Sequence, residues 1–181
     1  MRIAVITAWN PRNTGMYSVD LAACRFMAAE KMNFQLFRVQ WGRKGPFFLG
    51  GRKLHKLEHT SLLGRFDSIV FWGDFMNNPM YGVQDFRFRE ERHGRPSDSH
   101  GSLETWKMFF LLKGFEKGNR RIVSASNSFL SARDVLSTIP NKDAREVVEL
   151  LSKFDAIFPR DRISTREVQS ILQGYSAPYV H

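Results

Sequence analysis

Short apolar segments alternate with longer amphipathic stretches along the chain, and this alternation limits the fold more than any other feature. Five segments are rich in Val, Ile and Phe, and they lie at Ile3–Thr7, Phe34–Val39, Ser68–Trp72, Arg121–Ala125 and Ala156–Pro159. Nearly all are apolar at successive positions, as strands buried on both faces of a parallel sheet are. The stretches between them carry hydrophobic residues at helical spacing. The pattern predicts a doubly wound, mostly parallel α/β sheet, a Rossmann-like domain over residues 1–181.

Helices are expected at Val19–Glu30, Ser102–Phe115 and Asp143–Lys153, with a last helix before Gly174. Ser102 is a candidate N-cap for the second of them. The sequence from Ser164 to Glu167 matches a capping box at the start of the last helix, and Gly174 is expected to stop it. No internal repeat or linker interrupts this order.

Composition supports a folded domain and excludes several classes of protein. Hydrophobic residues make up 43% of the 181 residues, which excludes a disordered basic tail. Cys24 is the single cysteine, so an internal disulfide and a cysteine-based zinc site are excluded, and a buried, inert thiol is expected. No apolar run approaches the ~18 residues that span a bilayer. We therefore expect a soluble cytoplasmic protein.

The net charge of +9 comes mostly from the first 60 residues, which hold 10 Lys and Arg against 3 Asp and Glu. Its centre is a glycine-rich segment over residues 41–56, with basic residues at Arg43, Lys44, Arg52, Lys53 and Lys56. One interpretation is a solvated loop. The other is a surface for phosphates or for an anionic membrane, because basic residues alternate there with aromatic ones.

Polar side chains follow four of the predicted strands. Because ligands of open α/β sheets bind outside the carboxyl ends of the strands, these loops are the candidate site. The candidate residues are Asn13 and Gly15 after the first strand, Gly73, Asp74, Asn77 and Asn78 after the third, Asn127 and Ser128 after the fourth, and Arg160 after the fifth. Taken singly, each loop is also explained by ordinary turn chemistry.

Several familiar chemistries are absent from the sequence. It contains no G-x-G-x-x-G, no G-x-x-x-x-G-K-[ST] and no G-x-S-x-G, so dinucleotide, P-loop and α/β-hydrolase sites are not indicated. His55 and His59 form an i,i+4 pair, but only Glu58 accompanies them, so no metal site is expected.

Read in order, the loops resemble the N-terminal half of the polysaccharide pyruvyl transferase family. The matching elements are Asn13-Thr14-Gly15, the strand Asp67–Gly73, the strand and turn Val123–Asn127, and the F-D-x-I-F-x-R-D-x-x-S pattern of Phe154–Ser164. Two positions depart from the family. Met16 stands where the first loop usually has an acid, with Asp20 four residues further on, and Gly73 is the one glycine kept of a frequent triplet.

The resemblance implies one half of a two-domain enzyme, similar to B-type glycosyltransferases, with substrates bound between the halves. Such enzymes transfer a pyruvyl ketal from phosphoenolpyruvate to a sugar of a polysaccharide or lipid-linked glycan, without a metal or cofactor. The resemblance also implies that a C-terminal domain is missing here and that the isolated chain is inactive. The basic segment, read as a contact surface, would place this cytoplasmic protein at the inner face of the membrane.

The resemblance and the chemistry of ketal transfer together suggest residue roles. Asp74 would be the acid/base or acceptor-orienting carboxylate, and the amides of Asn13, Asn77, Asn78 and Asn127 would hold sugar hydroxyls. Backbone N–H groups around Gly15 and Gly73 would hold an anion. Arg160 would either reach the cleft or pair with Asp161 or a helix end.

Two other functions fit the same sequence. A glycosyltransferase of this architecture would use the same loops for its acceptor but consume a nucleotide sugar. A non-enzymatic basic domain would place the function in residues 41–56 and bind an anionic glycan, lipid or nucleic acid, with strong salt dependence. We expect no specific nucleic acid partner, because the excess positive charge is confined mostly to this one segment.

Overall fold

The computed structural model describes residues 1–10, 13–39, 46–92, 98–175 and 178–181. Its strands form one eight-stranded sheet in the order β3-β4-β2-β1-β5-β6-β7-β8. Neighbouring strands are parallel except for the antiparallel pair β3–β4. The strands are β1 Arg2–Thr7, β2 Asn33–Arg38, β3 Phe47–Leu49, β4 Arg52–Lys56, β5 Ser68–Asp74, β6 Arg121–Asn127, β7 Ala156–Pro159 and β8 Tyr179–Val180.

Within the described ranges, six α-helices flank the sheet, together with a 3₁₀ turn at Thr60–Arg65 and a π turn at Tyr81–Asp85. The helices are α1 Thr14–Ala29, α2 Phe86–Arg92, α3 Ser99–Phe110, α4 Ala132–Thr138, α5 Asn141–Ser152 and α6 Arg162–Ile171. None of the helices in the described ranges is long and apolar enough to cross a lipid bilayer.

Alternating side chains of the strands build a separate hydrophobic core on each face of the sheet. Ile3 and Val5 of β1 pack with α1 in one core, whereas Ala4 and Ile6 pack in the other, which α3, α4, α5 and α6 also enter. The period-two alternation of β1 is what divides the two layers. The predicted α/β class and its mostly parallel sheet are confirmed, and the architecture is compatible with a Rossmann-like fold.

All five predicted strands are present, and each agrees with the structure to within two residues at either end. Helix α1 begins five residues earlier than the hydrophobic spacing predicts, because Asn13 caps it. The prediction for Cys24 is also confirmed. Its thiol is buried, and its Sγ lies 3.5 Å from the carbonyl oxygen of Leu49.

The basic segment is only partly a loop. Residues 40–45, including Arg43 and Lys44, lie outside the described residues, but β3 and β4 form a hairpin whose turn is Gly50-Gly51. Both glycines have positive φ, 55° and 78°, as a tight hairpin turn requires. Strand β4 then pairs in parallel with β2, so a strand between β3 and β2 replaces the predicted loop over residues 52–56.

Two predicted helix caps are wrong. Helix α3 is capped by Asp98, which accepts from the N–H of Gly101, while Ser102 is buried inside the helix and donates to Glu90. Helix α6 is capped by Asp161, and Ser164 supplies the N–H that this cap accepts. In both cases an aspartate three or four residues upstream, an N-cap equal to serine, starts the helix earlier.

A fully buried ammonium ion ties α3 to α5. The Nζ of Lys107, with 0% of its side chain exposed, pairs with Glu104, with Glu146 and, at 3.1 Å, with Asp143. Burial alone lowers the pKa of Lys107, but the three carboxylates outweigh that effect and raise it above its ordinary value. The charge is therefore retained inside the fold because its partners replace water.

Lys107→Met should destabilise the fold by about 3 kcal/mol, because it removes the ammonium partner of the buried Asp143 and leaves the half-buried Glu104 and Glu146 with Lys113. Urea unfolding would measure the loss. The matched control is Lys142→Met at an exposed position of α5. Equal stability of the two variants would contradict a structural role for the buried ion pairs.

Candidate functional site

The candidate site lies at the carboxyl edge of the sheet, where the chain changes direction. From β1 the chain continues to β2 on one side, and β5 pairs with β1 on the other. The loops that follow β1 and β5 therefore diverge and leave a crevice, the usual ligand position in open α/β sheets. Because β5, β6 and β7 are parallel neighbours, the loops after them reach the same edge.

Asp74, the last residue of β5, forms an ion pair with Arg160 at this edge. Its Oδ1 lies 3.5 Å from Nη1 of Arg160, which follows β7. Asp74 is 7% exposed and has a positive φ of 53°. Burial raises the pKa of its carboxyl group, and Arg160 and Arg89 partly oppose this. Arg160 thus pairs with Asp74, while Asp161 is used as the cap of α6.

Asn77 lies beneath this pair and is fully buried. Its side-chain amide donates to the carbonyl of Phe110 at 2.6 Å and accepts from the hydroxyl of Ser124 at 2.8 Å. Its backbone N–H donates to the side chain of Asn127 at 3.4 Å. Asn77 therefore joins the loop after β5 to β6 and α3.

Asn78 and Ser128 are equally buried. The Asn78 amide donates to the carbonyl of Leu130 and accepts from the N–H of Met80. The Ser128 N–H donates to the Asp74 carbonyl, and its hydroxyl lies 3.5 Å from that of Ser164. These groups, like those of Asn77 and Asn127, contact other protein groups and do not face solvent.

Asn13 and Gly15 are exposed at the start of α1. The Asn13 side chain caps the helix by accepting from the N–H of Met16 at 3.2 Å. A Cβ atom at position 15 would lie 3.3 Å from the oxygen of that cap, so glycine leaves room for it. These two residues follow β1, whereas Arg160 follows β7, so β5 and β6 lie between them in the sheet. They are therefore on the opposite side of the crevice from Arg160.

Gly73 has a steric role. Its φ is +98°, and a Cβ atom there would lie 2.7 Å from Cγ1 of Val19 in α1. It lies inside β5 and is not at a helix N-terminus, since the next helical residues follow Asn78. The predicted anion contact at Gly73 therefore lacks a helix end to support it. The glycine instead lets α1 approach the end of β5.

Gly73→Ala should destabilise the fold by about 3 kcal/mol, because it combines backbone strain with a clash against Val19. Gly114→Ala is the matched control, since Gly114 also has a positive φ, +77°, but no atom lies within 4 Å of the added Cβ. Urea unfolding of both variants separates the clash from the strain. Similar losses in the two would contradict the close approach of α1.

An apolar groove borders the Asp74–Arg160 pair. Helix α1 packs on this face against β5, β2 and β3, and one side of it forms the groove together with parts of β5, β6 and β7. The groove has a volume of about 520 Å³, within the range of ligand sites. Its lining is largely apolar, and Ser126 and Arg160 supply the polar side chains. The lining residues are Phe26, Met27, Val70, Trp72, Val123, Ala125, Ser126, Phe158, Pro159 and Arg160.

The aromatic rings of this groove are accessible. Phe26 and Phe158 are 47% and 39% exposed, and the ring centroids of Phe26 and Trp72 are 5.7 Å apart. Aromatic rings offer large apolar contact surfaces, and the guanidinium of Arg160 lies among the same lining residues. The arrangement suits a ligand with one apolar face and a polar rim.

Sequence reasoning missed three kinds of residue at this edge. The aromatic groove is assembled from separate strands and has no local signal. Arg38 is 2% exposed, with its guanidinium 4.2 Å from the ring of Phe47 and 5.1 Å from that of Trp9. A charged residue within the apolar segment 34–39 was the available signal. Asp20, the first acidic residue of the chain, is buried as well.

No protein family model, curated protein sequence or solved structure matches the chain. The resemblance of the loops to the pyruvyl transferase family therefore rests on the sequence motifs alone.

Proposed function

We propose that this chain is the acceptor-binding, N-terminal half of a polysaccharide pyruvyl transferase-like enzyme. It would transfer a pyruvyl ketal from phosphoenolpyruvate to a sugar of a polysaccharide or lipid-linked glycan. The observation that carries the proposal is the Asp74–Arg160 pair at the carboxyl edge of the sheet, whose Arg160 also lines the aromatic groove.

The reaction sets clear demands on such a site. Two sugar hydroxyls add to C2 of the enolpyruvyl group and phosphate leaves. One hydroxyl proton ends on C3, which becomes a methyl group, and the other on phosphate. A group that accepts a hydroxyl proton and returns one is therefore required near the acceptor.

Asp74 fits this requirement. Its burial raises the pKa of the carboxyl group toward the working range of an acid/base catalyst, while the ion pair with Arg160 favours the ionised form that accepts a proton. Arg160 is 44% exposed at its side chain, so it also has donors available for the carboxylate or phosphate of the donor substrate.

The remaining candidate residues after β5 and β6 stabilise the loops that carry Asp74. The hydrogen bonds of Asn77, Asn78 and Asn127 hold the loops after β5 and β6 together, and Ser128 binds the backbone of Asp74. A second domain would complete the cleft and supply the groups that hold the donor, as the family resemblance implies.

Asp74→Asn should lower turnover at least 100-fold in the intact enzyme, because the variant cannot accept a proton. The assay is phosphate release from phosphoenolpyruvate in the presence of a glycan acceptor. Asp134→Asn, an exposed position of α4, is the control, and melting curves verify that both variants fold.

Unchanged turnover in Asp74→Asn would contradict the catalytic assignment. Release of a nucleotide from a nucleotide sugar, with no phosphate released from phosphoenolpyruvate, would instead establish the glycosyltransferase alternative.

The residues of the β3–β4 hairpin support a second proposed role, which is contact with an anionic membrane. Phe48 is 57% exposed and lies opposite Lys53 in the hairpin register, and Arg52 is exposed beside them. An aromatic side chain among cations is typical of membrane-interface segments. Lys56 is less available because it pairs with Glu58 at 3.1 Å. Such contact would bring the site to a lipid-linked acceptor.

Lys53→Glu should reduce binding to vesicles that contain phosphatidylglycerol, because it replaces attraction with repulsion; a several-fold loss at low salt is expected. Vesicle sedimentation measures it. Lys142→Glu in α5 makes the same charge change away from the hairpin. An equal loss in both variants would show that net charge, and not the hairpin, determines binding.

A further inference from the structure

Asp20 is a buried acid that links α1 to the loop after β1. It lies in the second turn of α1 and is 1% exposed. Its carboxyl group accepts hydrogen bonds from the backbone N–H groups of Trp9 and Ala8. Trp9 has a positive φ of 39°, so these bonds hold the loop in a conformation that a non-glycine residue rarely adopts. Asp20 therefore fixes the start of the loop that borders the crevice.

The same carboxyl group lies beside the end of β5. A Cβ atom at Gly73 would be 3.8 Å from Oδ1 of Asp20, and the next residue is Asp74. Asp74 acts electrostatically on Asp20 from β5, while Arg160 after β7 and Arg89 of α2 act on Asp74. The two carboxyl groups therefore lie near each other, one on α1 and the other at the end of β5.

The surroundings of Asp20 disfavour a charge. Its Oδ2 is buried and has no hydrogen-bond partner among the described residues, and the same holds for the hydroxyl of Thr7 at the end of β1. Burial raises the pKa of Asp20 to about 7, Asp74 adds to the increase, and the N–H groups of Trp9 and Ala8 oppose it. Below neutral pH, the protonated, uncharged form of Asp20 is therefore more stable at this buried position than the carboxylate.

We propose that Asp20 is a positioning residue of the Asp74–Arg160 site, which as an uncharged acid fixes the loop after β1 against the end of β5. Asp74 is then the one ionised carboxylate of the site. When Asp20 loses its proton, a second negative charge is buried near Asp74, and the packing of α1 against the end of β5 is destabilised. Its importance for catalysis rests on the proposed function, whereas the coupling between the two carboxyl groups does not.

The proposal has a defined pH dependence. The folded state keeps the Asp20 proton up to about pH 7, whereas the unfolded chain releases it near 3.8. The contribution of Asp20 to stability is therefore complete below pH 3.8, decreases as the pH rises toward 7, and is constant above that. Relative to Asp20→Asn, the wild-type unfolding equilibrium constant should rise on the order of a thousandfold across this window.

The direct test is a ¹³C NMR titration of the aspartate carboxyl groups. One carboxyl group should titrate near pH 7 in the wild type, be absent in Asp20→Asn, and titrate at lower pH in Asp74→Asn. Asp134→Asn is the control and should leave it unmoved. The amide signals of Ala8 and Trp9 should follow the same midpoint in the wild type, because their N–H groups donate to this carboxyl.

Rescue separates positioning from simple packing. Asp20→Asn keeps an uncharged acceptor, so hydrogen exchange of the Ala8 and Trp9 amides should stay slow at pH 6 and pH 8. Asp20→Ala should lose that protection at both pH values. If Asp20→Ala does not fold, the titrations of the wild type and of Asp74→Asn still decide.

The proposal is overturned if no aspartate titrates above pH 5.5, or if Asp74→Asn leaves the midpoint unchanged. None of these measurements needs a substrate. Failure of the pyruvyl transfer proposal in the turnover assay would therefore leave this result standing, and the reverse also holds.

Discussion

The close approach of α1 to the end of β5 is the constraint on which the site depends. Residue 73 has no space for a side chain, because Val19 already fills the position a Cβ would take. That contact places the second turn of α1 beside β5 and brings Asp20 next to Asp74. Without it, the two carboxyl groups, one on α1 and the other at the end of β5, would lie further apart.

Desolvation then gives the two acids different roles. Both are buried, and burial raises the pKa of each. Asp74 has Arg160 within 3.5 Å, so part of its penalty is offset by the ion pair. Asp20 has backbone N–H groups and the charge of Asp74 nearby. Environments that give two neighbouring titratable groups different pKa values are typical of acid/base sites.

Much of the fold could be predicted from the sequence because its signals are local. The β1, β5 and β7 segments are short and apolar on both faces, so their positions follow from composition alone. The β3–β4 hairpin could not be found this way, because Arg52, Lys53 and Lys56 give β4 the composition of a polar loop. The caps at Ser102 and Ser164 were misplaced because Asp98 and Asp161 compete for the same role.

The site was less predictable, because it depends on tertiary placement. The loops at the carboxyl edge follow from strand order, and the pairing of Asp74 with Arg160 joins residues that sequence reasoning had named separately. Asp20 lies four residues beyond Met16, the position where the family's first loop usually has an acid, so the sequence gives no reason to place it in the site. Asp20 lies about one helical turn after Met16, so the two side chains share one face of α1. Only the packed structure shows that this face of the helix meets the loop after β1 and the end of β5.

The most direct test of this account is a double-mutant cycle of Asp20→Asn and Asp74→Asn, with the free energy of unfolding measured at pH 8 and pH 5. If the carboxyl groups interact, the two substitutions should depart from additivity by at least about 0.5 kcal/mol at pH 8. The departure should disappear at pH 5, where Asp20 is uncharged. Additive effects at both pH values would contradict the coupling on which the site is built.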